Sequence, residues 1–375
     1  MDKQSIEIGI KKHFSKVKDP RINRTRRHNL IDIIVIAVCA IICGADGWES
    51  METYGKAKYL WLKTYLELPN GIPGHDTIRR VFERIDPESF NDCFLGWVSS
   101  LFEATDGRII PIDGKTVRGS HDREHGKSAI HMVSAWSMEN QLVLGQLKTE
   151  EKSNEITAIP LLLDLIDVRG SVVTIDAMGC QKTIARKIID KNAHYVLGLK
   201  ENQKSLLEDV VPYFENLPPQ KKEGYDVEKS IEKGHGRIET RTTWTTSEVP
   251  WILEEHPEWA GLKSIAMVES IRKIGTKQST ERRYYISSLD SNAKTLAEAI
   301  RAHWSIENAL HWVLDVSFRE DFSRVRSHNA PQNLAVLRRV VLNLIRQEKS
   351  FNRGVPQKRL RAALDNAYLE KILTS

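Results

Sequence analysis

Two short apolar runs, residues 108–113 (Arg-Ile-Ile-Pro-Ile-Asp) and 171–176 (Ser-Val-Val-Thr-Ile-Asp), each end in an aspartate. Short runs without polar interruption, rich in β-branched residues, read as strands buried on both faces. Strands of that kind need cover on both sides, and the surrounding sequence supplies it. Residues 129–136 and 142–147 read as two more strands, joined by a tight turn near Glu139 and Asn140. Residues 154–166 and 181–191 read as helices, and 194–199 as a fifth strand. The order is strand, strand, strand, helix, strand, helix, strand: a three-strand meander followed by strands that alternate with helices. It predicts an α/β chain built on a mixed sheet.

That order matches a ribonuclease H-like mixed sheet. Around it the chain divides into four parts. Residues 1–28 form a basic segment, and 29–105 an all-helical N-terminal domain with a possible role in DNA binding. Residues 106–348 hold the sheet, interrupted by a mostly β insertion at 200–290, and 349–375 form a basic C-terminal tail. In the helical part, the apolar run 33–45 is too short to cross a bilayer and reads as a buried helix. Gly71-Ile72-Pro73-Gly74 breaks the chain, after which Asp76 or Thr77 is placed to cap a helix over 78–85 carrying Arg79, Arg80 and Arg84. After the insertion a long helix is expected over 294–318 and another over 331–347.

The formal net charge of +5 is too small to imply a polyanion partner by itself, but its distribution is uneven. Residues 1–27 carry nine Lys/Arg against three acids, and 338–361 carry eight against Glu348 alone. Basic ends on an acidic body suit a polyanion gripped at the periphery, or are solvated tails. The four cysteines, Cys39, Cys43, Cys93 and Cys180, show no metal-site spacing and read as core thiols of a reducing compartment. With no secretory leader legible in the charged first 28 residues, a cytoplasmic, nucleoid-associated protein is expected, without membrane contact.

Asp113 and Asp176 end strands that lie side by side in this fold, and carboxyl ends of strands are where α/β sites form. Glu307, on the 294–318 helix, is placed to complete the set. Hard oxygen donors without cysteine favour Mg²⁺ or Mn²⁺, and two such ions about 3.5–4 Å apart suit phosphoryl transfer. The competing readings are that each aspartate caps the turn after it, or that His303, Glu307 and His311, spaced by four, bind zinc. Gly114-Lys115-Thr116 ends like a P-loop, but position 109 is isoleucine where that loop has its first glycine, so nucleotide binding there is rejected.

The chain resembles the H-repeat-associated proteins and their insertion-sequence relatives, the DDE transposases. The resemblance rests on Gly71–Ile78 (Gly-Ile-Pro-Gly-His-Asp-Thr-Ile), Ile112–Thr116, Thr149–Pro160, Asp176–Gln181, and His303–Val316 with Glu320 and Asp321. It implies a metal-dependent transposase that cuts and joins DNA at the ends of a mobile element, with Asp113, Asp176 and Glu307 as catalytic metal ligands and a homodimer in the synaptic complex. An inactive DNA-binding remnant and a nuclease without joining activity are the alternatives. DNA contacts are expected from Lys115, Lys152, Lys200, Arg237, His303, His311, Arg79 and Arg80, with Asn154, Glu155, Asn202, Gln203, His235 and Arg241 as further candidates or plain surface. Trp304 and Trp312 read as packing residues.

Overall fold

The computed structural model describes residues 11–101, 108–122, 126–150, 155–215, 223–234 and 236–375. The N-terminal part is helical: α1 (Leu30–Ile42), α2 (Trp48–Ala57), α3 (His75–Arg84) and α4 (Pro87–Leu101). Helix α1 is rich in β-branched residues, which are modest helix formers. Burial on every side decides its form, since Ile33 through Ile42 are all inaccessible. The Asp32 carboxylate, buried in its first turn, accepts the Leu68 amide at 3.0 Å. Helix α3 starts at His75, earlier than its apolar pattern suggests. The expected cap from Asp76 or Thr77 is not formed; the Glu52 carboxylate, from α2, accepts the His75 amide at 2.7 Å instead.

The sheet strands are β1 (Ile109–Thr116), β2 (His131–Ser137), β3 (Leu142–Lys148), β4 (Val172–Ile175) and β5 (His194–Leu199). Helix α5 (Glu155–Leu165) precedes β4, and α6 (Lys182–Asp190) lies between β4 and β5. Strands β1–β3 pair antiparallel, while β1–β4 and β4–β5 pair parallel. This is the ribonuclease H-like arrangement. The stretch after β5 does not stand apart. Its strands β6 (Asp226–Gly234), β7 (Arg237–Thr246), β8 (Ser264–Ile274) and β9 (Lys277–Ser287) extend the same sheet to nine strands in the order 3-2-1-4-5-9-8-7-6. Strand β6 reads poorly in sequence because it is mostly exposed and charged, with no apolar alternation.

Helix α7 (Ala293–Ile306) packs on one face of the sheet over Val172, Val196, Ala266 and Val268. The alternation of β4 turns Val173 and Ile175 to the other face, where α5 and α6 lie. A π-helical turn, Glu307–His311, links α7 to α8 (Trp312–Ser317). Helix α9 (Ala330–Gln347) is buried along nearly its whole length and joins the helical region to the sheet, touching α1, α3, α4 and β3. Its Asn343 side chain accepts the Val143 amide at 2.8 Å and donates to the Val143 carbonyl at 3.0 Å. Those are free groups of the edge strand β3, so the helix closes an edge that would otherwise be open to pairing.

The C-terminal residues are folded: α10 (Val355–Leu364) and α11 (Asn366–Thr374) dock on the helical region, with Trp61 and Tyr65 both donating to Glu370. Most of the cations in 338–361 are accordingly internal. Arg338, Arg339 and Lys358 are buried, Arg359 donates to the Ile41 carbonyl, and Arg361 stacks on Phe351 and Tyr368. Only Lys349 and Arg353 of that cluster are exposed. No helix among the described residues is long and apolar enough to cross a membrane.

Candidate active site

Parallel pairing of β1 with β4 runs from Ile109 with Val172 to Ile112 with Ile175 and then stops. Asp113 and Asp176 are the next residue on each strand. The carboxylates therefore sit on neighbouring chains where the sheet opens, with strands about 4.8 Å apart. Strand β1 continues through Lys115 and Thr116, but paired only with β2. Asp176 Oδ1 accepts the amides of Met178 at 3.0 Å and Gly179 at 3.3 Å, so this aspartate also caps its turn. That turn is fixed from β5's side: Asn202 donates to the Ala177 carbonyl at 2.7 Å and Gln203 to the Cys180 carbonyl at 2.9 Å. Both side chains were candidates for phosphate contact; here they hold the loop that presents Asp176.

Glu307 opens the π turn and is exposed. A π turn inserts an extra residue into the helix, and such turns recur at functional sites. The two histidines on either side of Glu307 meet different strands. His303 faces β4, with Nδ1 3.3 Å from Thr174 Oγ1. His311 faces β1, with Nδ1 3.4 Å from Asp113 Oδ2. Burial pushes His311 down to about 3, helped by the Arg339 and Lys115 charges, so its ring is neutral. Burial also lowers His303, against the opposing pull of Asp176.

Asp113 shows the reverse shift. Burial pushes its carboxyl up to about 7; the Gly114 amide offsets part of this, and the charges of Glu155, Asp176 and Glu307 add to it. Three further acids thus act on Asp113 through their charge. Glu155 is tied in by His131, whose Nε2 is 2.9 Å from Glu155 Oε1 and whose Nδ1 is 2.9 Å from Thr116 Oγ1. Gly114 makes room for that pair: a Cβ there would meet Glu155 Oε1 at 2.1 Å and His131 Nε2 at 2.4 Å. The sequence signal was a glycine inside a strand, which marks a close approach of other groups. Among the described residues, no three His, Cys, Asp or Glu side chains are gathered as one ion would require. The donors are nonetheless hard oxygens crowded by like charge, the chemistry a divalent cation answers.

Lys115 is not at the surface. It is 8% exposed and paired with Asp315 at 2.7 Å, Asp321 at 3.0 Å and Glu320 at 3.6 Å. Glu320 in turn meets Arg339 at 3.0 Å and Arg338 at 3.8 Å. Burial would raise the Glu320 carboxyl, but Arg339, Arg338 and Lys115 hold it below the usual glutamate value.

Other expected contacts are scattered. Lys200 is exposed just past β5, at the same sheet end as Asp176. Arg237 lies at the far hairpin, 4.0 Å from Glu239, and Arg241 pairs with Glu239 at 2.6 Å. Arg79 is bound to Asp76 and Glu83, whereas Arg80 and Arg84 are exposed. Lys152, Asn154 and His235 lie outside the described residues. Trp304 packs under the Arg283 guanidinium, 4.4 Å from its ring centre. Trp312, expected in the core, is 57% exposed, because the π turn shifts the face of α8 relative to α7.

The ribonuclease H-like sheet thus carries two strand-end aspartates, and the helix after it a glutamate. Residues 104–344 match the family model described as "Transposase DDE domain", and residues 11–98 match that described as "DDE_Tnp_1-associated". The chain belongs to the DDE transposase family. It is 46% identical to "Putative transposase YncI" of Escherichia coli O157:H7, over 97% of this chain and 94% of that protein. It is 40% identical to "H repeat-associated putative transposase YhhI" of Escherichia coli strain K12, over 97% of each. A further relative, "Inactive transposase YbfQ" of the same strain, is 43% identical over 19% of this chain and 86% of its own. A solved piggyBac transposase synaptic complex with hairpin DNA aligns with 99% of this chain and 78% of that one, at TM-score 0.45 and 12% identity.

Proposed function

We propose that this transposase cleaves DNA at the ends of a mobile element and joins the freed ends to target DNA, with Asp113, Asp176 and Glu307 holding two divalent cations, Mg²⁺ or Mn²⁺. When bound, such ions activate the attacking oxygen and stabilise the leaving one. The protein's part is to present three carboxylates on three rigid supports. The end of β1–β4 pairing carries Asp113 and Asp176, and the π turn carries Glu307. The neutral His311 ring keeps Asp113 oriented without adding a positive charge that would compete for it. The Met178 and Gly179 amides do the same for Asp176. Lys200, Arg80, Arg79, Arg237, His303 and His311 remain the candidates for contact with DNA, Lys200 foremost because it stands at the carboxylate end of the sheet.

The observation that supports this reading is that β1–β4 pairing ends just before Asp113 and Asp176, so the two aspartates lie on neighbouring strands, with Asp113 raised by burial and further by the charges of Glu155, Asp176 and Glu307. The test is cleavage of a labelled DNA fragment bearing the element's ends, with Mg²⁺, Mn²⁺ or EDTA, by the native protein and Glu307→Ala. Metal-dependent nicking at the ends, lost in the variant, is expected, and a strand-transfer assay then separates a transposase from a nuclease. Binding without cleavage under any metal overturns the catalytic reading and leaves a DNA-binding remnant.

A further inference from the structure

We propose that a cleft beside the carboxylates binds one strand of DNA through its phosphates; this rests on the function proposed above. The cleft has a volume of about 740 Å³ and opens where three strands end or begin together. Thr116 closes β1, His131 opens β2 and Lys148 closes β3. Its other wall is the last turn of α3 and the segment leading into α9. Four cations from four separate places converge on it: Arg84 from α3, Lys127 from the connection between β1 and β2, Lys148 from β3 and Arg326 from the segment before α9. Arg326 is steadied by the Gly119 carbonyl at 3.2 Å. Arg84, Lys127 and Lys148 have no ion-pair partner among the described residues. The lining holds two acids, Glu150 and Glu83, of which Glu83 is already bound to Arg79 at 2.9 Å.

Four cations gathered from separate elements, in excess of the two acids of the lining, suit a run of phosphates, whose spacing they can follow. The volume selects a single strand. A space of this size takes a few linked nucleotides, too little for a duplex to enter. The position links the cleft to the acids. His131 lines it and also holds Glu155. Along β2, His131 is three residues from Ser134, the partner of Asp113, which is about 10 Å of strand. A strand lying in the cleft passes about 10 Å along β2 from the position paired with Asp113, on the side of the sheet that carries His131 and Glu155. Duplex ends that fray at the scissile bond would be held open by it.

The test is fluorescence anisotropy in EDTA, where no cleavage occurs, using a blunt duplex and the same duplex with a single-stranded extension. The proteins are the native chain, Lys127→Ala/Lys148→Ala, Lys127→Arg/Lys148→Arg and Glu307→Ala, each checked for an unchanged melting curve. The native protein is expected to bind the extended duplex more tightly than the blunt one. Each single-strand phosphate contact contributes a salt slope of about 0.7. The alanine pair should therefore lower the slope for the extended duplex by about 1.4 and weaken binding roughly tenfold near 0.15 M salt. Blunt-duplex binding should stay as it was, and the arginine pair should bind as the native protein does. Equal weakening on both DNAs, or none on either, overturns the cleft assignment. Failure of the catalytic reading looks different: the native protein never nicks DNA, while the lysine dependence of extended-duplex binding stands.

Discussion

Replacing Asp113 by asparagine should abolish cleavage and, in metal-free buffer, make the protein more stable. The side chain keeps its shape and loses the charge that its neighbours oppose. A rise from 3.8 to about 7, at 1.36 kcal/mol per pH unit, sets a ceiling of about 4 kcal/mol on the stability cost of the charged form. Relaxation of the neighbouring carboxylates and entry of water reduce this, so a gain on the order of 2 kcal/mol is expected. A carboxyl whose folded pKa lies above its unfolded one costs nothing in acid, where both states are protonated. The cost begins near pH 4, grows as the pH rises, and is complete above about 7. Urea unfolding in EDTA at about pH 5 and about pH 8.5 should therefore show Asp113→Asn ahead of the native protein by a margin that widens at the higher pH. Adding Mg²⁺ should then stabilise the native protein and leave the variant where it was, by the linkage of binding to folding. Equal stability of the two proteins at the higher pH, or a margin independent of pH, would refute the claim that burial and the neighbouring acids disfavour the charged form of Asp113.

Glu320→Ala leaves Arg339, Arg338 and Lys115 buried without their shared carboxylate, and should cost about 3–5 kcal/mol in urea unfolding at neutral pH. Because Glu320 lies below its ordinary value in the fold, the native advantage should shrink as the pH falls under about 4.3 and the carboxylate is protonated. Gly114→Ala drives a Cβ into Glu155 and His131, so DNA cleavage should fall by an order of magnitude or more while DNA binding holds, and Gly114→Ala/Glu155→Ala should recover the melting temperature of the native protein. His311→Asn should slow cleavage by about 10–100-fold and leave the shape of the pH–rate profile between pH 5 and 9 as it was, since the ring is pushed down to about 3 and does not titrate there.

What could be read from sequence followed the strength of local signals. Strands β1, β4 and β5 were legible because burial on both faces leaves them uniformly apolar, and their order already placed Asp113 beside Asp176. The mostly β character of 200–290 was legible too, but strand β6 was not, since its exposure allows charged residues at successive positions and erases the period of two. The exposure of cations was hard to read for a related reason: composition counts charges without their partners. Lys115 and most of the basic stretch 338–361 are paired or stacked inside the fold by acids, carbonyls and rings far away in sequence. The π turn at Glu307 was hidden as well, because one inserted residue changes which neighbours His303 and His311 meet without altering the apolar pattern of the helix.

The burial of Lys115 has a consequence for the acids beside it. Alternation along β1 turns Asp113 and Lys115 to the same face, two residues apart, where the ammonium could reach the aspartate and neutralise it. Asp315, Asp321 and Glu320 draw it the other way, and Arg338 and Arg339 anchor Glu320 beneath. A lysine left free at that position would act as a resident counter-ion, lowering the need for any other. By fixing it in a closed set of ion pairs, the fold uses the charge to hold the end of β1 rigid and leaves Asp113 uncompensated. The segment Glu320–Phe322 thus serves the site without touching it. It leaves the charge of Asp113 uncompensated beside Glu155, Asp176 and Glu307, as the cation binding proposed above requires.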